Sequence, residues 1–117
     1  MDIKAIDPVY QSIVNDLTHN DYLRAADAAL ARIEAAADAA DLDSKREGSV
    51  LTLELDNGAQ VIINLQPAIE ELWLASTRGA YHFRQRGGRW LDTRGGLDFD
   101  ALVRDAVSAQ GGPDLAL

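Results

Sequence analysis

The chain has no cysteine, which removes disulfides, thiolate zinc sites, cysteine-ligated iron–sulfur clusters and a catalytic thiol together. That absence fits a reducing cytoplasm. No apolar run approaches the roughly 18 residues of a membrane span. Met1-Asp-Ile-Lys4 is followed by acids rather than by a basic and then an apolar stretch, so no secretion signal is expected. Neither a Walker loop nor a dinucleotide fingerprint occurs, and Gly87-Gly88 and Gly95-Gly96 read as turns. Ser44, Ser49, Ser76 and Ser108 stand in no recognisable nucleophile context. Histidine is scarce, with only His19 and His82. His82 alternates with Tyr81 and Phe83 as a surface strand residue would, and His19 could join Asp21 in holding a metal.

What is present fits a single domain: 117 residues, 47% hydrophobic, 26% charged and 6% aromatic. The net charge of −8 argues against nucleic acid and anionic membrane as partners. The charge is uneven. Residues 1–58 hold 12 acids and 5 bases, net −7, whereas residues 59–117 hold 7 acids and 6 bases, net −1. Within 78–94, five arginines face Asp92 alone. An acidic side and a mildly basic side are expected.

Ile6, Val9, Tyr10, Ile13, Val14 and Leu17 fall at helical spacing behind Asp7 and Pro8, which predicts a short helix over 6–17. Thr18-His-Asn-Asp21 resembles a capping box opening a second, longer helix to about Ala40. Its apolar stripe is Tyr22, Ala26, Ala29, Leu30, Ile33 and Ala37. The period then changes to two. Leu51, Leu53 and Leu55 alternate with Thr52 and Glu54, and Asp56-Asn57-Gly58 predicts a type I′ hairpin into Gln60–Leu65. Glu70–Ser76 fits either a helix or a strand, and its position between strands and its Leu72/Leu74 alternation favour the strand. Tyr81–Arg86 and Arg89–Asp92 form a hairpin around Gly87-Gly88. Phe99, Leu102, Val103, Ala106 and Val107 mark a last helix stopped by Gly111-Gly112. The fold class is α+β: two long helices on one face of an antiparallel sheet of five strands, with a sixth near 42–47 and an extra N-terminal helix. Residues 1–18 read as an N-terminal extension and 19–117 as the domain.

Two surfaces carry functional signals. Asp27, Glu34, Asp38 and Asp41 are separated by 7, 4 and 3 residues and so fall within roughly 60° on a helix surface. No lysine occurs in that helix, Arg24 and Arg32 point elsewhere, and Asp43 continues the run, so the stripe reads as unpaired. Like charges at i,i+4 disfavour a helix, and Asp38 and Asp41 sit at its negative end. Such a stripe suits hard cations, weakly held, or a basic protein partner. Acids projecting outward from a helix do not suit paired-carboxylate hydrolysis. The second surface is the sheet face without helices. Alternation puts Ile62, Asn64, Gln66 and Trp73 there, the composition of a protein-binding hot spot.

Several short motifs occur in order: Val50-Leu-Thr-Leu-Glu-Leu-Asp-Asn-Gly58, Val61-Ile-Ile-Asn-Leu-Gln-Pro67, Glu71-Leu-Trp-Leu-Ala75, Gly79-Ala-Tyr-His-Phe83, then Trp90, Asp92-Thr-Arg-Gly95 and Phe99. Over residues 21–109 the chain resembles the frataxin family, bacterial CyaY type. The resemblance implies a frataxin-like α/β sandwich in a non-enzymatic, cytoplasmic regulator of iron–sulfur cluster assembly. It implies weakly bound iron, Fe²⁺ or Fe³⁺, and other divalent cations on an acidic ridge. Its expected partners are cysteine desulfurase and the iron–sulfur scaffold protein, and its expected state is a monomer capable of iron-dependent oligomers. Carried over by position, Asp27, Glu34, Asp38, Asp41 and Asp43 are the ridge and metal candidates, and Asn64, Gln66 and Trp73 the partner-binding candidates. The chain departs from the pattern at Ala35, Ala36, Ala39 and Ala40, and at Lys45 and Arg46, which thin the ridge and favour docking over iron storage. The competing readings are a ferroxidase or iron store, and an acidic interaction module without iron.

Overall fold

The structure, a computed structural model, describes the backbone over residues 8–117 and side chains over 19–117. Helix α1 (Pro8–Ala39) precedes six strands: β1 (Asp43–Glu47), β2 (Val50–Glu54), β3 (Gln60–Gln66), β4 (Glu71–Ser76), β5 (Gly79–Arg86) and β6 (Arg89–Asp92). Helix α2 (Phe99–Ala109) follows. Each strand pairs antiparallel with its neighbour in sequence, so the sheet runs β1-β2-β3-β4-β5-β6. The sixth strand expected near 42–47 is β1.

Two expected helices are one. No break occurs at Thr18-Asp21, because the chain offers no glycine or proline between Pro8 and Gly48 to interrupt the backbone ladder. The capping box is therefore absent and His19, Asn20 and Asp21 lie inside α1. Positions 6 and 7 of the expected first helix lie outside the described residues. Tyr22 anchors the domain end of α1: it is buried, and its hydroxyl donates to the Glu71 carbonyl at 2.6 Å.

The period-two pattern does what alternation dictates. Leu51, Leu53, Val61, Ile63, Leu72 and Leu74 are all buried beneath Ala26, Leu30 and Ile33 of α1 and Phe99, Val103 and Val107 of α2. Burying one such side chain is worth about 1.5–3 kcal/mol, so this layer dominates the fold. The hairpins differ from expectation at one point. Gly87 and Gly88 both have positive φ, 57° and 79°, as a type I′ turn requires. At Asp56-Asn57-Gly58 only Gly58 does, at 86°, and Gly58 N–H donates to the Leu55 carbonyl. That is a type I turn with a glycine bulge, not type I′. Asn57 instead uses its side chain, accepting from Ala59 N–H at 2.9 Å and donating to the Gln110 carbonyl at 2.8 Å.

The loop after β6 is organised by Asp92, whose carboxylate accepts N–H bonds from Arg94, Gly95 and Leu97 at 2.9, 2.7 and 2.6 Å. Asp98 then caps α2 by accepting from Ala101 N–H. Beyond α2, Gly111 (φ 90°) bonds back to the Ser108 carbonyl and Gly112 to the Val107 carbonyl, a Schellman motif. A Cβ at Gly112 would stand 2.6 Å from Val107 Cγ1 and 3.0 Å from Leu55 Cδ2. Gly112→Ala is therefore expected to lower stability by about 1–3 kcal/mol in urea unfolding. An unmoved midpoint would show that these side chains yield freely.

Candidate functional site

The acidic ridge starts on the outer side of α1. Asp27 and Glu34 are two helical turns apart, and both are engaged by Arg46 of β1. Arg46 Nη1 donates to Glu34 Oε1 at 3.2 Å, and Nη2 donates to Asp27 Oδ1. Arg46 reaches them because it is paired with Leu51 and so lies on the helix-facing side of β1. The stripe is thus not unpaired along its length, as the sequence suggested. Arg24 and Arg32 do turn away, to Asp21 and to Asp100 of α2.

Asp38 is exposed in the last turn of α1, and Asp41 lies beyond it. Leu42 N–H bonds to the Ala37 carbonyl and Asp41 N–H to the Asp38 carbonyl, which makes this a second Schellman end. Asp41 holds the left-handed position at φ 56°, where glycine is the unstrained choice. The stripe's fourth acid is therefore placed by a cap, not by helical periodicity. Asp43 opens β1 and is paired with Glu54 of β2, so two like charges stand directly opposite each other. Among the described residues no three acidic or imidazole groups stand together as a cation cage. The five ridge acids form an edge, not a pocket.

The open sheet face is more ordered than alternation alone suggests. Asn64, Trp73 and His82 line up across β3, β4 and β5, and Gln66, Glu71 and Arg84 form the next row. Trp73 and His82 stack with ring centroids 4.2 Å apart and planes within 7°. Beneath their edges Glu71 is only 6% exposed, although it points to the face without helices. Trp73 Nε1–H donates to Glu71 Oε1 at 3.0 Å, Arg84 Nε–H donates to Oε2 at 2.7 Å, and His82 Nδ1 lies 3.7 Å from Oε1. Ile62 extends the platform as an exposed apolar residue. His19 faces Glu70 at 3.8 Å, not Asp21, so the metal pair considered for it is not formed.

A family model described as a frataxin-like domain matches residues 15–113. The chain belongs to the frataxin family. The iron-sulfur cluster assembly protein CyaY of Paraburkholderia phymatum is 45% identical over 98 residues, covering 82% of this chain and 93% of that protein. CyaY of Burkholderia mallei is 42% identical over 105 residues, covering 86% and 97%. Among solved structures, frataxin from Psychromonas ingrahamii superposes with a TM-score of 0.77 at 29% identity, over 83% of this chain and 94% of that one. Trimeric yeast frataxin complexed with ferrous iron gives 0.59 at 29% identity, over 78% and 82%. The chain is a bacterial CyaY-type frataxin.

Within this frataxin fold, sequence reasoning missed Arg46 and Glu71. Arg46 was signalled by parity, since any hairpin that pairs it with Leu51 sends it toward α1. For Glu71 the signal was its two-residue offset from Trp73 on one strand face.

Two expectations follow. Asp41→Gly relieves the left-handed strain and should raise stability by about 1 kcal/mol while deleting a ridge carboxylate; a lower melting temperature would refute the strain. For Glu71, burial pushes the carboxyl up, and the bonds from Trp73 and Arg84 overcome it, leaving the group below its ordinary 4.5. The Gly95 N–H bond, against burial and with Leu97 and Arg94, likewise holds Asp92 below 3.8. Both groups are charged more readily in the folded chain than in the unfolded one. Their stabilisation is complete above the unfolded values and is lost as pH falls through the folded ones. Glu71→Gln should make the loss of urea midpoint between about pH 5 and pH 3 shallower; an unchanged slope would remove Glu71 from the account.

Proposed function

We propose that this chain acts in iron–sulfur cluster assembly as a non-catalytic adaptor. It docks on cysteine desulfurase through the ridge acids, chiefly Asp38, Asp41 and Asp43, with Glu34 and Asp27 at the margin. It meets the scaffold protein through Asn64, Gln66 and Trp73, and it carries iron weakly, as cargo. Relatives named iron-sulfur cluster assembly protein CyaY, at 42–45% identity over most of the chain, support the pathway. The yeast structure complexed with ferrous iron supports the cargo.

The observation that carries the docking reading is the form of the ridge. Asp38, Asp41 and Asp43 are exposed and lie along the α1–β1 edge, and Asp41 is held there at a backbone cost. Separated carboxylates of this kind bind a single hard ion poorly, because such an ion draws six or more oxygens around itself. They present a line of negative potential well, and such a line steers a basic surface toward it and sets its orientation. The aromatic platform on the open face adds a second and chemically distinct contact, half-buried and edged by amides.

The test separates the two surfaces. Changing Glu34, Asp38, Asp41 and Asp43 to lysine should weaken desulfurase binding by about tenfold or more at low salt, with the difference shrinking as salt is added. Trp73→Ala should leave that interaction intact and weaken scaffold binding by about 2 kcal/mol. Unchanged desulfurase affinity in the charge-reversed variant, measured by calorimetry or pull-down, would sink the docking reading.

A further inference from the structure

Arg46 stands where the ridge could otherwise begin. Its side chain is 27% exposed, on the helix-facing side of β1, and its guanidinium meets α1. One fork of the group serves Glu34 and the other Asp27. Among the described residues the other cations of α1 and β1 are engaged elsewhere. Lys45, on the opposite side of β1, pairs with Glu47 at 3.0 Å, Arg24 pairs with Asp21, and Arg32 with Asp100.

We infer that Arg46 is a tethered counter-cation that withholds Asp27 and Glu34 from metal ions and from basic groups of a partner, so that the binding edge of the ridge is Asp38, Asp41 and Asp43. This rests on the ridge reading proposed above and sets its limits. A divalent ion arriving between Asp27 and Glu34 meets a fixed positive charge a few ångströms away and oxygens already receiving hydrogen bonds. A partner arginine would exchange one guanidinium for another, with little gain. Because Arg46 is joined through the chain, it competes at a high effective concentration that dilution does not reduce. Its planar fork satisfies two carboxylates at once, which an ammonium cannot do from one position.

The experiment follows the side-chain carboxyl ¹³C shifts of the full chain as Ca²⁺ is added. In the natural protein Asp38, Asp41 and Asp43 should move, and Asp27 and Glu34 should not. In Arg46→Gln all five should move, with apparent affinity at Asp27 and Glu34 at least about threefold higher than in the natural protein. Arg46→Lys, which keeps the charge and loses the fork, should free one of the two carboxylates, and it carries the test should Arg46→Gln fail to fold. Asp27 and Glu34 shifting alike with and without Arg46, or staying still in both variants, would overturn the inference. Still signals at Asp38, Asp41 and Asp43, with Asp27 and Glu34 responding only once Arg46 is removed, would instead count against the ridge reading and leave the clasp standing.

Discussion

Leu51, Leu53, Val61, Ile63, Leu72 and Leu74 form a continuous apolar layer on one side of a six-stranded meander, and among the described residues two helices, α1 and α2, cover it. A meander has no crossover connections, so none of the described helices passes to the second face to bury it. The covered face can therefore be entirely apolar, and the other must tolerate water. This asymmetry separates the two surfaces proposed for recognition: the bare face carries Asn64, Trp73 and His82, and the α1–β1 edge carries the acids.

A bare face with a tryptophan on it has to avoid becoming a generic sticky patch. Here Glu71 provides the means. A buried carboxylate is costly unless its oxygens are satisfied, and Glu71 is satisfied by Trp73 and Arg84 together. The indole is thereby pinned by its N–H and laid flat on His82, so its exposed surface has one orientation. A pinned aromatic loses little side-chain freedom on binding, which favours affinity from a small area. The edge works by the opposite device. Asp43 faces Glu54 across the strand pair, where like charges directly opposite each other are destabilising.

Layering was legible because alternation in β2, β3 and β4 leaves one assignment of faces, and the frataxin motifs from Val50 to Phe99 agreed with it. The single α1 was not legible, since Thr18-His-Asn-Asp21 satisfies a capping box as readily as it continues a helix. Local preference does not arbitrate between those states when no breaker is present. The turn at Asp56-Asn57-Gly58 was misread for a related reason. Asn57 tolerates the positive φ of a type I′ turn, but its side chain bonds to the Gln110 carbonyl beyond α2, a partner 53 residues away. The clasp on Asp27 and Glu34 depends on how high β1 sits against α1, and helical spacing carries no information about that height.

The two helix C-termini make a controlled comparison within one chain. Both end in Schellman motifs, with the same pair of backbone bonds. Where α2 ends, the left-handed residue is Gly111, which adopts its φ without strain. Where α1 ends, it is Asp41, which accepts strain of about 1–2 kcal/mol, and its carboxylate lies at the negative pole of the helix dipole. Neither local conformation nor electrostatics favours an acid there, and no side-chain hydrogen bond among the described residues repays it. Asp43 adds a second unfavourable charge two residues on. Two nearby choices that each oppose stability, at the stretch of the ridge that Arg46 does not neutralise, agree with the docking surface proposed above. A basic protein surface supplies many such charges at once, whereas a single metal ion can reach few of these diverging carboxylates. The strain at Asp41 is thus better matched to docking than to storage.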